Sequence, residues 1–93
     1  MRRVHVFISG EVVGVFFRSF IENNAIRLGI KGWVRNIEDD EIEAVFEGKD
    51  HAIDKIIELC KDGPASADVE SIEIDEGIYS GEFLDFRVKS WFF

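Results

Sequence analysis

Apolar residues recur on every second position near the start of the chain. Val4, Val6 and Ile8 show this spacing, which is typical of a β-strand with one face on the core. From Phe17 the spacing becomes that of a helix, and the apolar stripe consists of Phe17, Phe20, Ile21, Ala25 and Leu28. Gly29 then stands where a left-handed C-cap is expected. This part of the chain therefore predicts a strand followed by a helix.

The next two segments predict a hairpin. "KGWVRNI" and "EIEAVFE" have the composition of strands, and the tight connection between them is Glu38, Asp39 and Asp40. Ile42, Ala44 and Phe46 would face the core. The opposite face would be mostly acidic and carry Glu41, Glu43, Val45 and Glu47. We interpret the acidic run "EDDEIE" as a solvated turn and strand face rather than a cation site.

A second amphipathic helix follows Gly48. Asp50 is expected to be its N-cap, and the helix is expected to end at Gly63 and Pro64. Its apolar stripe consists of Ile53, Ile56, Ile57 and Cys60. The lone cysteine lies within the stripe, so we expect it to be a small core residue.

Two more strands complete the predicted fold. Ile72 and Ile74 mark the first of them, and a Gly-rich polar loop at residues 77–81 separates it from the second, which is marked by Leu84, Phe86 and Val88. The order is βαββαββ. Since both helices are amphipathic, they should pack on one face of an antiparallel sheet. We expect a ferredoxin-like α+β sandwich with a βαββαβ core, formed as a single domain over residues 1–93.

The charge and the cysteine content narrow the function classes. The chain has 93 residues, 46% of them hydrophobic, and a net charge of −8, which opposes binding to nucleic acid or to an anionic membrane. One cysteine excludes an intramolecular disulfide and fits a reducing compartment. Polar residues interrupt the apolar stretch after Arg2 and Arg3, so it does not match a signal peptide or a membrane span. We expect a soluble, unprocessed, cytoplasmic protein.

The segment "GEVVGVFFR", residues 10–18, has features of an anion-binding site. It lies where the first strand leads into the first helix, so amides from Val13 to Arg18 could converge on an anion at the positive helix end. Gly10 and Gly14 permit a tight turn. Arg18 could donate two hydrogen bonds to phosphate oxygens. Spacing alone leaves open that the glycines serve only the turn and that Arg18 is solvated.

Several segments together resemble the acylphosphatase family. They are "GEVVGVFFR", "LGIKGWVRN", "IEAVFEG", "VESIEID" and "FLDFRV", and they cover nearly the whole chain. The resemblance implies that Arg18 binds phosphate, that Asn36 positions the attacking water, and that a backbone cradle runs over Glu11, Val12, Val13, Gly14, Val15, Phe16 and Phe17. Two departures from the family pattern are Val13 in place of Gln and Asp39-Asp40 in place of Asp-Gly. A positive φ at Asp40 is therefore expected to carry a modest strain.

The implied activity is hydrolysis of the carboxyl-phosphate bond of a small acyl phosphate. A carboxylate leaves readily without a general acid, so positioning and charge stabilisation can suffice for catalysis. We expect in-line water attack, with the proton passing to the substrate's own phosphate. No metal, cofactor or covalent phosphoenzyme is expected.

A non-catalytic binding module on the same fold is the alternative. An RNA-binding version would carry aromatic and basic residues on its central strands, whereas "EIEAVFEG" places one phenylalanine between glutamates. A metal carrier would need Cys-x-x-Cys in the first loop. A small-molecule or anion sensor stays open. His5 and His51 have no obvious carboxylate partner, so surface or packing roles are predicted, and Trp33 is expected to pack in the core or on the sheet.

The chain closes on the apolar sequence "WFF". We expect these side chains to pack over the sheet, and contact with a second copy is the alternative. The corresponding expectation is a monomer, with a dimer as the other possibility.

Overall fold

The structure of the protein is a computed structural model, and it describes residues 1–89. The prediction for "WFF" lies outside the described residues. The elements follow the predicted order, with these bounds: β1 Arg2–Glu11, α1 Phe17–Arg27, β2 Lys31–Glu38, β3 Glu41–Gly48, α2 Asp50–Asp62, β4 Asp68–Gly77 and β5 Phe86–Val88. The predicted βαββαββ order and α+β class are confirmed.

The five strands form one sheet in the order β4-β1-β3-β2-β5. β1 pairs antiparallel with both β3 and β4, and β2 pairs antiparallel with β3. β5 instead runs parallel to β2, with Gly32 opposite Phe86 and Val34 opposite Val88. The sheet is therefore mixed rather than antiparallel throughout. β4 and β5 lie at opposite edges of the sheet, so residues 78–85 must cross it, which a tight turn could not do.

Both helices pack on one face of the sheet, and the core lies between the layers. The alternating residues Val4, Val6 and Ile8 are fully buried, as the pattern predicts. α1 contacts β2 and β5, whereas α2 contacts β1, β3 and β4. Cys60 belongs to this core, and burial raises the pKa of its thiol to about 12. The thiol therefore stays protonated, which fits the predicted packing role.

The start of α2 differs from its prediction. Lys49 is the N-cap, and Asp50 is the first helical residue, without a side-chain capping hydrogen bond. An acidic side chain in the first turn still interacts favourably with the positive end of the helix. An aspartate is thus favourable both as the N-cap and as the first helical residue, so composition alone did not fix where the helix begins. Gly63 ends the helix as expected, and its N–H donates to the Leu59 carbonyl at 2.8 Å.

The prediction that the run "EDDEIE" is solvated is wrong at Glu43, and Glu47 on the same strand face is buried as well. Glu43 and Glu47 are buried on the sheet face opposite the helices. Glu43 Oε1 accepts a hydrogen bond from Arg35 Nε at 2.7 Å, and Glu43 Oε2 lies 2.6 Å from His5 Nε2. His5 therefore has the carboxylate partner that its sequence context did not reveal. His51, by contrast, is exposed on α2, as predicted.

Glu47 anchors the connection between β4 and β5. Its carboxylate accepts from Arg3 Nη1 at 2.9 Å, from Ser80 N and Ser80 Oγ at 3.0 Å, and from Gly81 N at 3.1 Å. Burial alone would raise the pKa of Glu47, but these hydrogen bonds outweigh burial and lower it. Glu47 is thus a buried carboxylate that stays ionised and holds the loop on the sheet.

Trp33 is half-buried on this outer face, where Arg35 and Lys89 lie over its ring at 5.3 and 4.6 Å from the centroid. The predicted sheet packing is therefore confirmed for this residue. Neither helix in residues 1–89 has the length and apolar character needed to cross a membrane.

Candidate active site

A cavity of about 260 Å³ opens where β1 leads into α1. It has room for several water molecules at roughly 30 Å³ each. Its lining residues are Val12, Gly14, Phe16, Phe17, Arg18, Ser19, Asn36 and Val88. Arg18 and Asn36, which belong to different sequence motifs, therefore meet at one cavity. Arg18 is the only charged lining residue in the described part of the chain.

The two glycines of the first motif have different roles. Gly10 has a φ of 131°, and a Cβ there would lie 2.3 Å from the Asp68 carbonyl oxygen. The register of β1 against β4 shifts at this point, so Gly10 serves a close approach between strands. Gly14 has a φ of 77° and faces open space at the cavity. The bend that forms the cavity therefore depends on Gly14.

Phe16 adopts a conformation that is uncommon for a phenylalanine. It has a φ of 62°, the only positive value of a non-glycine among residues 1–89. Such a residue costs roughly 1–3 kcal/mol of strain. Phe16 is the N-cap of α1, provides no side-chain cap, and is 82% exposed. The loop thus turns into the helix through a strained, solvent-facing aromatic residue.

The backbone between β1 and α1 has donors without acceptors. The first turn of α1 closes when Phe20 N–H donates to the Phe16 carbonyl at 3.0 Å. Over residues 13–19, no backbone N–H donates to an acceptor within residues 1–89. Unpaired N–H groups at a helix N-terminus carry partial positive charge and favour an anion. The Val15 carbonyl points elsewhere, because it accepts from Ser66 Oγ at 3.0 Å.

Not every residue of the predicted cradle faces the cavity. Glu11, Val13 and Val15 are not lining residues, and Val13 and Val15 pack against the core instead. Val13, which stands where the family pattern has Gln, thus contributes an apolar anchor for the loop. The other predicted cradle residues, Val12, Gly14, Phe16 and Phe17, do line the cavity.

Arg18 differs from the other arginines. It makes no hydrogen bond or ion pair within the described part of the chain, residues 1–89. Each other arginine there has an acidic or amide partner: Arg2 with Asp54 and Glu76, Arg3 with Glu47 and Glu82, Arg27 with Asn24, Arg35 with Glu43, and Arg87 with Asp85. A chain of net charge −8 thus keeps the one cation of this cavity clear of its own carboxylates.

Asn36 lies on β2, on the strand face that carries buried Val34. It is 3% exposed, and its Oδ1 atom is buried without a hydrogen-bond partner in residues 1–89. A buried acceptor left unpaired costs about 1–3 kcal/mol. Asn36 therefore lines the cavity and carries a buried acceptor that the described residues leave unsatisfied.

The hairpin turn beside Asn36 departs from expectation. Asp40 does not have a positive φ, since Phe16 is the only non-glycine with one in the described residues. The register of β2 against β3 shifts between Asn36 and Glu38, which lets the turn close without a left-handed residue. The Asp40 carbonyl accepts from Gly10 N–H at 3.0 Å and so ties this turn to the end of β1.

Sequence reasoning did not identify Ser19 and Val88 as lining residues. Ser19 could have been found, because it follows Arg18 in the first helical turn. Val88 could not, since its place depends on the parallel pairing of β5 with β2. In residues 1–89, no three His, Cys, Asp or Glu side chains are grouped so that they could hold a metal ion.

Several known proteins are similar to this chain in both sequence and fold. The acylphosphatase family model matches residues 4–88. An acylphosphatase from Syntrophus aciditrophicus is 46% identical over 95% of this chain and 92% of its own, and one from Pyrobaculum aerophilum is 49% identical over 95% and 94%. The crystal structure of acylphosphatase from Bacillus subtilis superposes with a TM-score of 0.91 at 28% identity, and covers 96% of this chain and 99% of that one.

Proposed function

The chain belongs to the acylphosphatase family, and we propose that its cavity at the start of α1 is where acyl phosphates are hydrolysed. Acylphosphatase activity is what the family and its relatives imply at this identity and coverage. The substrate is accordingly a small acyl phosphate, which is split into a carboxylate and inorganic phosphate. The roles of the individual residues are the proposal.

The phosphoryl group binds to the cradle formed by residues 11–18 and to the guanidinium of Arg18. One observation carries this assignment: in an acidic chain, Arg18 stays without a partner in residues 1–89 and lines the same cavity as the unpaired acceptor of Asn36. The unpaired N–H groups of residues 13–19 add donors at the positive end of α1. A planar guanidinium can bind two phosphate oxygens at once.

Asn36 orients the attacking water. Its buried Oδ1 can accept a hydrogen bond from that water, which would satisfy an acceptor that the described residues leave unpaired. A water held at a fixed position reacts faster because its translational and rotational entropy has been lost before the chemical step. The arrangement therefore divides the work between two side chains: Arg18 holds the charge, and Asn36 places the nucleophile.

The chemical step balances without a further group. The water oxygen attacks phosphorus in line with the bond to the acyl oxygen, and that bond breaks with its electron pair leaving on the carboxylate. The water proton passes to a non-bridging phosphate oxygen. Arg18 and the backbone N–H groups stabilise the charge on the phosphoryl oxygens. The positive charge comes from the protein, so we propose that the reaction requires no metal.

The central test is hydrolysis of benzoyl phosphate by the purified chain in the presence of EDTA. We expect full activity with the chelator and competitive inhibition by inorganic phosphate. Arg18→Ala should lose both. Arg27→Ala is the matched control, because Arg27 lies on the same helix and contacts Asn24 outside the cavity. Loss of activity with EDTA and its rescue by magnesium or zinc would contradict the mechanism.

We further propose that the chain acts as a single domain over residues 1–93, as a cytoplasmic monomer. The continuous core formed by both helices and the sheet supports the single domain. Sedimentation at assay concentration would test the monomer, and a dimer that dissociates only with loss of activity would contradict it.

A further inference from the structure

Two exposed apolar side chains share the cavity with Arg18 and Asn36. Phe16 comes from the N-cap of α1, and Val88 comes from β5. Val13 and Val15 on the same loop pack against the core, whereas Phe16 does not. Phe16 also makes no ring contact with another aromatic residue in residues 1–89. Two distant parts of the chain therefore place exposed apolar side chains at the solvent-facing rim of the cavity that Arg18 and Asn36 line.

The conformation of Phe16 does not stabilise the fold. A left-handed φ is strained for a bulky residue, and exposure of the ring to water gives no burial energy. Strained residues are concentrated at ligand sites, where bound ligand or neighbouring structure compensates for them. We therefore expect the Phe16 ring to contact the ligand that the cavity binds.

In-line chemistry fixes which part of the substrate meets this rim. The leaving group lies on the opposite side of phosphorus from the attacking water. Asn36 is almost completely buried, so the water that it orients lies at the inner end of the cavity. The acyl group must then point outwards, towards the exposed side chains of Phe16 and Val88.

We propose that Phe16 and Val88 form an acyl subsite that favours acyl phosphates with an uncharged, apolar acyl group, and that Phe16 is the specificity-determining residue. This inference rests on the proposed function, since the phosphoryl group must occupy the Arg18 cradle. Charge points the same way. Arg18 is the only charged lining residue within residues 1–89, so a second carboxylate on the acyl group would find no counter-charge among them, in a chain of net charge −8.

The first experiment compares benzoyl phosphate with acetyl phosphate in the parent, Phe16→Asn and Phe16→Leu. Asn tolerates a left-handed φ better than most residues, so the loop can keep its path, whereas Leu keeps an apolar side chain. Phe16→Asn should lower kcat/KM about fivefold to tenfold further for benzoyl phosphate than for acetyl phosphate. Phe16→Leu should change the ratio by less than about threefold. Because each variant is compared with the parent, the intrinsic reactivities of the substrates cancel.

Ile26→Asn is the matched control. Ile26 is another exposed apolar residue of α1, and it lies outside the cavity lining. This variant should leave the ratio between the two substrates at the parent value. A change as large as that of Phe16→Asn would show that the ratio reports on the helix rather than on the rim.

A second experiment introduces a charge from the other side of the rim. Val88→Lys should raise kcat/KM for succinyl phosphate relative to acetyl phosphate by about fivefold, because the added ammonium can pair with the free carboxylate. Val88→Thr has nearly the same shape without the charge and should not. This arm stays informative even if Phe16→Asn fails to fold.

Failure of the subsite and failure of the proposed function have different signatures. If inorganic phosphate does not compete with substrate in the parent, the cradle assignment fails. If phosphate competes but Phe16→Asn lowers kcat/KM equally for both substrates, or for neither, the acyl subsite alone is overturned. An unchanged preference in Val88→Lys would likewise remove Val88 from it.

Discussion

Two buried polar side chains on adjacent strands show opposite hydrogen-bonding states. Glu47 on β3 is 2% exposed and Asn36 on β2 is 3% exposed. The Glu47 carboxylate accepts hydrogen bonds from Arg3, Ser80 and Gly81, whereas Asn36 Oδ1 accepts none within residues 1–89. A buried polar group whose partners are all in the chain stabilises the fold. One without partners leaves a place for a ligand, at a cost to stability.

Two arginines extend the same contrast. Arg3 binds Glu47 and Glu82, and the hydrogen bond to Glu47 is the largest cause of its raised pKa. Arg18 pairs with nothing in the described residues and faces the cavity. The outer face of the sheet thus resembles a closed ionic network, whereas the cavity offers open donors and acceptors. The following predictions test whether stability resides in the first region and activity in the second.

Arg18→Ala should have the largest effect. We expect kcat/KM for benzoyl phosphate to fall on the order of 10³-fold, the lower range for an arginine that stabilises a phosphoryl group. The melting temperature should stay near the parent value, because no hydrogen bond or ion pair within residues 1–89 is lost. Steady-state kinetics with a thermal melt on the same sample would check both. If Arg27→Ala lost as much activity, general surface charge rather than the cavity would be responsible.

Glu47→Ala should produce the largest loss of stability. Removal of the carboxylate takes away the buried partner of Arg3 and leaves two loop amides without their acceptor, which costs about 3 kcal/mol for a buried pair. At roughly 4–8 °C per kcal/mol for a domain of this size, the melting temperature should drop by more than about 10 °C. Activity per folded molecule should persist. Inactivity below the melting transition would show that the two regions are coupled.

Asn36→Ala should affect turnover more than stability. Loss of one positioning group lowers kcat on the order of 10²-fold, while the inhibition constant of phosphate stays near the parent value. The free energy of unfolding should change by less than about 1 kcal/mol, since an unpaired acceptor leaves together with the packing of the amide. Asn23→Ala, at an exposed site on α1, is the control.

Asn36→Asp tests how a negative charge at the same position affects phosphate binding and turnover. A carboxylate could still accept a hydrogen bond from water but would repel the phosphate, so the inhibition constant of phosphate should rise along with the loss of kcat. A fully active, normally folded Asn36→Ala variant would remove this residue from the mechanism.

The pH dependence of stability should be the smallest of these effects. The pKa of Glu47 is lower in the folded chain than in the unfolded one, so its contribution is complete above the unfolded value of about 4.3 and is lost as the pH falls through the folded value. Urea melts between pH 6 and about pH 3 should show this loss. Glu47→Gln should flatten the acid limb of the profile. Glu70→Gln, at an exposed position, should retain the parent slope.

The fold followed from spacing wherever one element could be assigned by itself. Val4, Val6 and Ile8 specify a half-buried strand whatever their partner, and the helix stripes behave likewise. Features that depend on pairing could not be predicted. His5 meets Glu43 because β1 and β3 are adjacent in a particular register, and β5 is parallel to β2 because the chain crosses from the β4 edge to the opposite edge of the sheet. Burial of Glu47 likewise needs donors that lie far along the chain.

The candidate site divides in the same way. Arg18 and Gly14 follow from a contiguous motif, and Asn36 follows from a second motif through family resemblance. Their meeting at one cavity is a property of the sheet. Spacing could not show that Arg18 would lack a partner or that Oδ1 of Asn36 would be buried. The family pattern placed a strained residue at Asp40, but the register shift after Asn36 relieves that turn, and the positive φ of a non-glycine occurs at Phe16 instead.

The position of β1 between β4 and β3 has a consequence for how the enzyme folds. β1 pairs with β3 and also with β4, with Arg3 opposite Gly77, so the sheet closes only after most of the chain has been brought back. Such non-local pairing slows folding, since the entropy of closing a long loop is lost before contacts compensate for it. The cradle continues directly from the end of β1 and is tied to β4 at Gly10. We therefore expect recovery of activity during refolding to coincide with the final cooperative phase, without an early species that already hydrolyses substrate.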